Sequence, residues 1–296
     1  MKYTKSALTF GDQADQLLAR GLQAASKAEI EEKLQAVSYY RLSAYWVPFR
    51  QPDDTFAPGT TLEIIWRRYT FDRQMRFLLL DAIERAEVLI RTRIVNDHTL
   101  LHGAFGYLDR ANLPGLQVHE HREMLDRIRE EARRSRETFV THFFSKYTSE
   151  TDLPLWMACE LMTFGSMFTL YRGLAKPLQQ KLAAQFGVAD TVFESWLRAL
   201  NQARNLCAHH ARVWNRVFGL RPQIPRANKH PQWHQPVAIR DDRLFGLLSV
   251  LRYLLRQAAP ASHWPQRLIA LLVAYHDIPT ADMGFPVGWE QSPIWL

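Results

Sequence analysis

The sequence predicts an all-α fold, and three observations carry that prediction. Apolar residues recur at helical spacing along most of the chain, most clearly at Ile64, Phe71, Met75, Leu78, Leu79, Ala82, Ile83, Ala86 and Ile90. No segment reads as a strand alternating apolar and polar residues. Prolines and glycines gather between the periodic segments, at 48–59, 102–118 and 219–239. The chain has 296 residues, 47% of them hydrophobic, enough for one sizeable core or two smaller ones. We divide it into an N-terminal helical subdomain, 1–60, and a main helical domain, 61–296.

The elements follow in order. Thr9 and Asp12 form a capping pair for a helix that runs to Arg20, with Gly21 at the C′ position. Residues 27–50 give two more helical pieces, the second rich in aromatics (Tyr39, Tyr40, Tyr45, Trp46). That spacing reads as core, with base stacking the alternative. Thr60 and Glu63 read as a capping box for a long helix reaching about Leu101. Residues 119–147 mix Arg and Glu in a charged helix that projects into solvent. The run 153–174 is almost wholly apolar and predicts one buried central helix. A short helix, 177–186, leads to the motif helix, 191–218. Two amphipathic helices, about 241–258 and 262–275, close the chain before a Pro/Gly-rich tail.

Charge and composition narrow the function. The net charge is +7 and rests on 29 Arg against 8 Lys. Arginine is the cation suited to bidentate phosphate contact and to stacking on bases. Charged residues make up 23%, which argues against wholesale disorder. Cys159 and Cys207 lie in apolar helical patterns and read as buried free thiols of a reducing compartment. With no secretory h-region and no run of about 18 apolar residues, a soluble cytoplasmic protein is expected, without membrane contact. There is no HExxH, CxxC, EF-hand loop, Walker or Rossmann glycine loop, or nucleophile elbow, so neither a metal nor a cofactor is expected.

The stretch from Thr191 to Phe218 stands out. Wound as one helix, it places Phe193, Trp196, Leu200, Ala203, Cys207, Ala211 and Trp214 on an apolar arc. Arg198, Asn201, Gln202, Arg204, Asn205, His209, Arg212 and Arg216 lie opposite, with no Asp or Glu from Ser195 to Phe218. Uncompensated like charges at i,i+4 point to an anionic partner. Arg198, Arg212 and Arg216 are therefore candidate RNA-binding residues. With 29 Arg and 11 His, about three Arg-x4–6-His matches are expected by chance, and Arg91 or Arg93 with His98 is one of several. Requiring Asn after the Arg leaves Arg204-Asn205…His209 alone.

Histidine can take a proton from a ribose 2′-hydroxyl or give one to a leaving 5′-oxygen, and arginine can hold the scissile phosphate. The trio therefore suits metal-independent RNA cleavage to a 2′,3′-cyclic phosphate, with His210 at the margin of the arc. Residue chemistry leaves two other readings open. One is a strip that only docks RNA phosphates; the other is a basic face for an acidic protein. Glu160, on an apolar helix, reads as a buried carboxylate that orients Arg204 or a motif histidine.

RNLCAHHARVWNR (204–216) joins four further blocks: YYRLSAYWVPFR (39–50), Tyr69 to Arg76, AIERAEVLIRTRI (82–94) and LPLWMACELMTFGS (153–166). Together they resemble the Abi-like abortive-infection family of the AbiD/AbiF type over about residues 5–275. The resemblance implies a HEPN-like helical bundle with an N-terminal helical extension, its Arg-x4–6-His motif falling on Arg204, Asn205, His209 and His210. It implies a metal-independent endoribonuclease toxin of bacterial phage defence or a toxin–antitoxin system. Its composite site would face two motif copies across a homodimer, and a small structured RNA would restrain it. A degenerate second half in cis, from Arg91 or Arg93 with His98, is disfavoured: that helix reads as core, with Glu84 and Glu87 pairing its arginines.

Overall fold

The computed structural model describes residues 2, 4 and 6–296. Met1, Tyr3 and Lys5, in the predicted N-terminal subdomain, lie outside the described residues. Among the described residues there are twelve α-helices and no named strand, only isolated bridges pairing Gln23 with Thr61 and Arg50 with Phe56. The fold is all-α, as the periodicity requires.

Three short helices come first: α1 (Phe10–Ala19), α2 (Lys27–Val37) and α3 (Tyr39–Trp46). Thr9 and Asp12 cap α1 reciprocally, and Gly21 beyond its end has φ +91°, a conformation that suits glycine. Helix α4 (Leu62–His102) follows, 41 residues and about 60 Å long. Its N-cap is Thr61, which accepts from the Ile64 amide, while Thr60 donates to the Ala57 carbonyl. The cap is thus one residue later than the sequence suggests.

Helix α4 is the spine. The short helices α3, α7 (Leu155–Leu161), α9 (Lys176–Gln185) and the longer α10 (Asp190–Ala208), α11 (Leu244–Ala258) and α12 (Trp264–Ala274) all pack on it. Phe71, Met75, Leu79, Ala82, Ile83, Ala86 and Ile90 form its fully buried stripe. Each large side chain so buried stabilises the fold by about 1.5–3 kcal/mol. The buried residues form one cluster that runs from Ala14 to Trp295.

Two predicted helices prove to be pairs. The charged segment is α5 (Val118–Arg134) and α6 (Thr138–Lys146). Helix α5 does not stand free, because His121, Met124, Leu125 and Ile128 are buried beneath its charged outer face. The apolar run 153–174 is α7 and α8 (Phe164–Gly173), broken at Met162–Thr163. Thr163 caps α8, and Arg91 of α4 donates to the Cys159 and Met162 carbonyls at 2.7 and 3.0 Å, satisfying groups that a continuous helix would bond internally.

Candidate active site

The motif helix α10 is held by its apolar face and free at its end. Phe193, Trp196, Leu200, Ala203 and Cys207 are buried, as its periodicity predicts, and the Trp196 indole donates to the Gln223 carbonyl at 2.9 Å. The helix stops at Ala208, however, well short of Phe218. His209 is the C-cap, and His210 sits in the left-handed region at φ +58°. The His210 amide bonds the Cys207 carbonyl at 3.0 Å, and the Ala211 amide reaches back to Leu206 at 2.8 Å. Those two bonds define a Schellman stop, with histidine at the position where glycine is favoured.

The continuous cationic arc is therefore not formed. Val213 and Trp214 are buried, but by a different route from the wheel: both their amides donate to Asp72 of α4, at 3.0 and 2.6 Å. Arg212 and Arg216 follow the turn on irregular backbone and are half-buried. Arg198 is exposed on α10 and pairs at 2.9 Å with Glu194, one turn earlier and immediately before the acid-free window. The expectation of an acid-free strip fails because the helix ends and because Glu194 neutralises Arg198.

Asp72 is a residue that sequence reasoning missed. It is fully buried, and besides the two amides it accepts from the Tyr45 hydroxyl at 2.6 Å and pairs with Arg76. Burial pushes the Asp72 carboxyl up and the Tyr45 phenol up as well, while Arg76 and the other donors pull Asp72 back. This network seats the chain just after the motif. Its signal was an Asp–Arg i,i+4 pair on the apolar stripe of α4, where a charge needs a specific partner. Arg41 of α3 adds a second tie, donating to the His210 carbonyl at 2.7 Å.

The motif side chains divide around this turn. Asn205 and His209 are exposed and line an open groove of about 490 Å³ between α8 and α10. Arg204 is half-buried, within 3.5 Å of the Asn205 amide oxygen, and beside Glu87 of α4. His210 faces a separate cleft. Asn205 and His209 thus share the groove at one helix end, Arg204 lies beside Asn205 outside the groove's lining, and His210 lines the cleft on the other side.

Glu160 needs correction. It is exposed at the end of α7 and, among the described residues, bonds neither Arg204 nor a histidine; its side chain meets only the Cys159 thiol, at 3.5 Å. The wheel of a single helix over 153–174 does not apply once the run breaks, and Glu160 falls on the outer face. The acid beside Arg204 is Glu87, which burial pushes up while Arg91 and Arg204 oppose. Glu87 pairs with Arg91 at 2.7 Å.

The cis alternative meets a physical obstacle. His98 is 0% exposed and has no partner for either ring nitrogen among the described residues, and burial together with His102 pushes it down to about 4. Both cysteines are free and buried, their thiols pushed up to about 12 by burial first of all. Among the described residues no group of three or more His, Cys, Asp or Glu side chains is placed to hold a metal ion, and no helix is long and apolar enough to cross a membrane.

An all-α protein with an Arg-Asn-x3-His-His motif displayed at a helix stop is what these features define. The Abi-like protein family matches residues 32–215, from within α2 to just past the motif turn. That is more than half of the chain, which belongs to the Abi-like protein family. No curated protein and no solved structure shows a significant match.

Proposed function

We propose that this protein is a metal-independent endoribonuclease of an abortive-infection, phage-defence or toxin–antitoxin system, with a HEPN-like site. The observation that carries the reading is the helix stop. It displays Asn205 and His209 on an exposed edge beside Arg204, with His209 bonded, among the described residues, only through its backbone amide, to the Asn205 carbonyl.

In the reaction, a histidine accepts the 2′-hydroxyl proton and the 2′-oxygen attacks the adjacent phosphorus. The bond from phosphorus to the 5′-oxygen breaks, and a protonated histidine supplies the proton that oxygen needs. The products are a 2′,3′-cyclic phosphate and a 5′-hydroxyl. Arg204 holds the phosphate and offsets the charge that builds on it, and Asn205 positions it. One motif supplies one such edge, so we place the working site at a two-fold contact between two copies of the chain. His210 assists from the flank. We further propose a small structured RNA as restraint, and a cytoplasmic location.

The test is cleavage of RNA in excess EDTA, with the ends identified chemically. Cyclic phosphate ends that vanish in Arg204→Ala and His209→Ala, with RNA affinity unchanged in the latter, support the reading. Tight, salt-dependent RNA binding without cleavage favours the alternative, a docking protein.

A further inference from the structure

The cleft on the His210 side has a volume of about 810 Å³ and lies between the end of α2, the start of α3, α4 and the end of α10. Its lining includes Arg41, Arg73, Arg76 and His210 and no acidic side chain. The three arginines are not equivalent. Arg76 is neutralised by buried Asp72. Arg41 spends its bond on the His210 carbonyl, a neutral acceptor, and keeps its full charge. Arg73 is exposed, forms no ion pair among the described residues, and lies over the Phe77 ring at 5.3 Å.

The groove on the His209 side differs. Its two arginines are both paired, Arg172 with Glu120 at 2.6 Å and Arg198 with Glu194 at 2.9 Å. Of the two linings, that on the His210 side is therefore the one with unpaired guanidinium groups. A helix C-terminus favours cations, which accounts for Arg41 next to the turn. It does not account for Arg73 on α4, whose guanidinium bonds no carbonyl among the described residues and lies over Phe77 instead. Nor does it account for Phe77, which is 56% exposed with Arg73 on its face and half-buried Tyr69 in the same cleft. An aromatic surface beside free guanidinium groups is how proteins hold unpaired bases and their phosphates.

We propose that this cleft seats a flanking nucleotide of single-stranded RNA. Arg41 and Arg73 take its phosphate, and Phe77 and Tyr69 stack on its base. The strand then crosses the end of α10, leaving the next phosphate at Arg204 and His209. The assignment of RNA rests on the nuclease reading; the cationic aromatic cleft does not.

The experiment measures anisotropy of a labelled 2′-O-methyl oligoribonucleotide, which cannot be cut because its nucleophile is blocked. We expect Arg73→Ala to weaken binding about tenfold and to lower the salt slope by about 0.7, the share of one single-strand phosphate contact. Phe77→Ala weakens it about fivefold to tenfold through lost stacking. Both side chains are exposed, so melting temperatures stay at the wild-type value. Binding of Arg73→Ala and Phe77→Ala within twofold of wild type overturns the proposal. So does a wild-type protein that fails to bind the probe, or an acidic peptide that displaces it as well as RNA does. If binding depends on Arg73 while unmodified RNA stays intact, the nuclease reading falls and the cleft stands.

Discussion

Two Arg–His pairings of similar spacing lie on α4 and α10, and the fold treats them in opposite ways. Arg91 and Arg93 with His98 sit mid-helix, where Arg91 is consumed by Glu87 and two carbonyls, Arg93 lies over Phe186, and His98 is sealed from water. Arg204 and His209 sit where a helix stops, so the histidine caps rather than packs. A histidine within a long spine is surrounded on a full turn either side. One at a C-cap projects past the last turn, where no helix follows to cover it. What distinguishes a chemical pattern from a packing pattern is therefore less the spacing than the place where the helix ends.

The sharpest way to break this comparison is catalytic. His209→Ala should lower cleavage about 10³-fold or more, as loss of a general acid–base does, while His98→Leu should leave the rate within twofold of wild type. Equal losses in single-turnover cleavage would mean that the buried histidine matters to the chemistry. Next comes the anchor of the stop. Asp72→Ala strands Arg76 and frees the Val213 and Trp214 amides, and removing one partner of a buried pair costs about 3–5 kcal/mol. Urea unfolding reads the loss. Wild-type stability in this variant would show that the turn does not depend on α4.

Much of the fold was legible in local pattern. The long helix was expected to run from Thr60 to about Leu101 and spans Leu62–His102. The buried row from Phe193 to Cys207 follows its wheel. Elements failed where distant residues decide them. No glycine or proline falls between Gly187 and Gly219, so periodicity carries the motif helix straight through its stop. The stop depends on His210 in a conformation glycine prefers and on Asp72, 141 residues away from Val213 in sequence. The elbow between α7 and α8 likewise depends on Arg91, 71 residues from Met162. Local sequence encodes helix formation well and its interruption by remote donors poorly. For the same reason Arg204, Asn205 and His209 were found from the motif, whereas the roles of Arg41, Asp72 and Arg73, and the place of Glu87 beside Arg204, emerged only when α3 and α4 were packed beside it.

Acidification sharpens the contrast between the two histidines. Burial holds folded His98 at about 4, against 6.5 for the ordinary group, so the unfolded chain binds the proton first as pH falls. Stability that depends on neutral His98 is present above pH 6.5 and is lost progressively between 6.5 and 4. The loss between pH 7 and pH 5 is about 2 kcal/mol from this group alone. His98→Leu removes the titration, and both ring nitrogens lack partners to lose. The stability of His98→Leu relative to wild type should therefore rise by about 2 kcal/mol between pH 7 and pH 5. A constant difference across that range would mean that His98 is hydrated in solution.

The smallest effect tests the stop itself. His210 occupies a left-handed conformation that costs a side-chain-bearing residue about 1 kcal/mol relative to glycine. His210→Gly keeps the carbonyl that Arg41 bonds and relieves the backbone, so it should raise the melting temperature by about 2 °C. His210→Ala keeps the strain and loses the same imidazole, so it should melt no higher than wild type. Both should weaken RNA binding to the same degree if the ring contributes in the cleft. Weakening in the alanine variant alone would assign the effect to backbone geometry. A stabilised glycine variant that has lost affinity would show a fold carrying strain at this position for the sake of the side chain it holds.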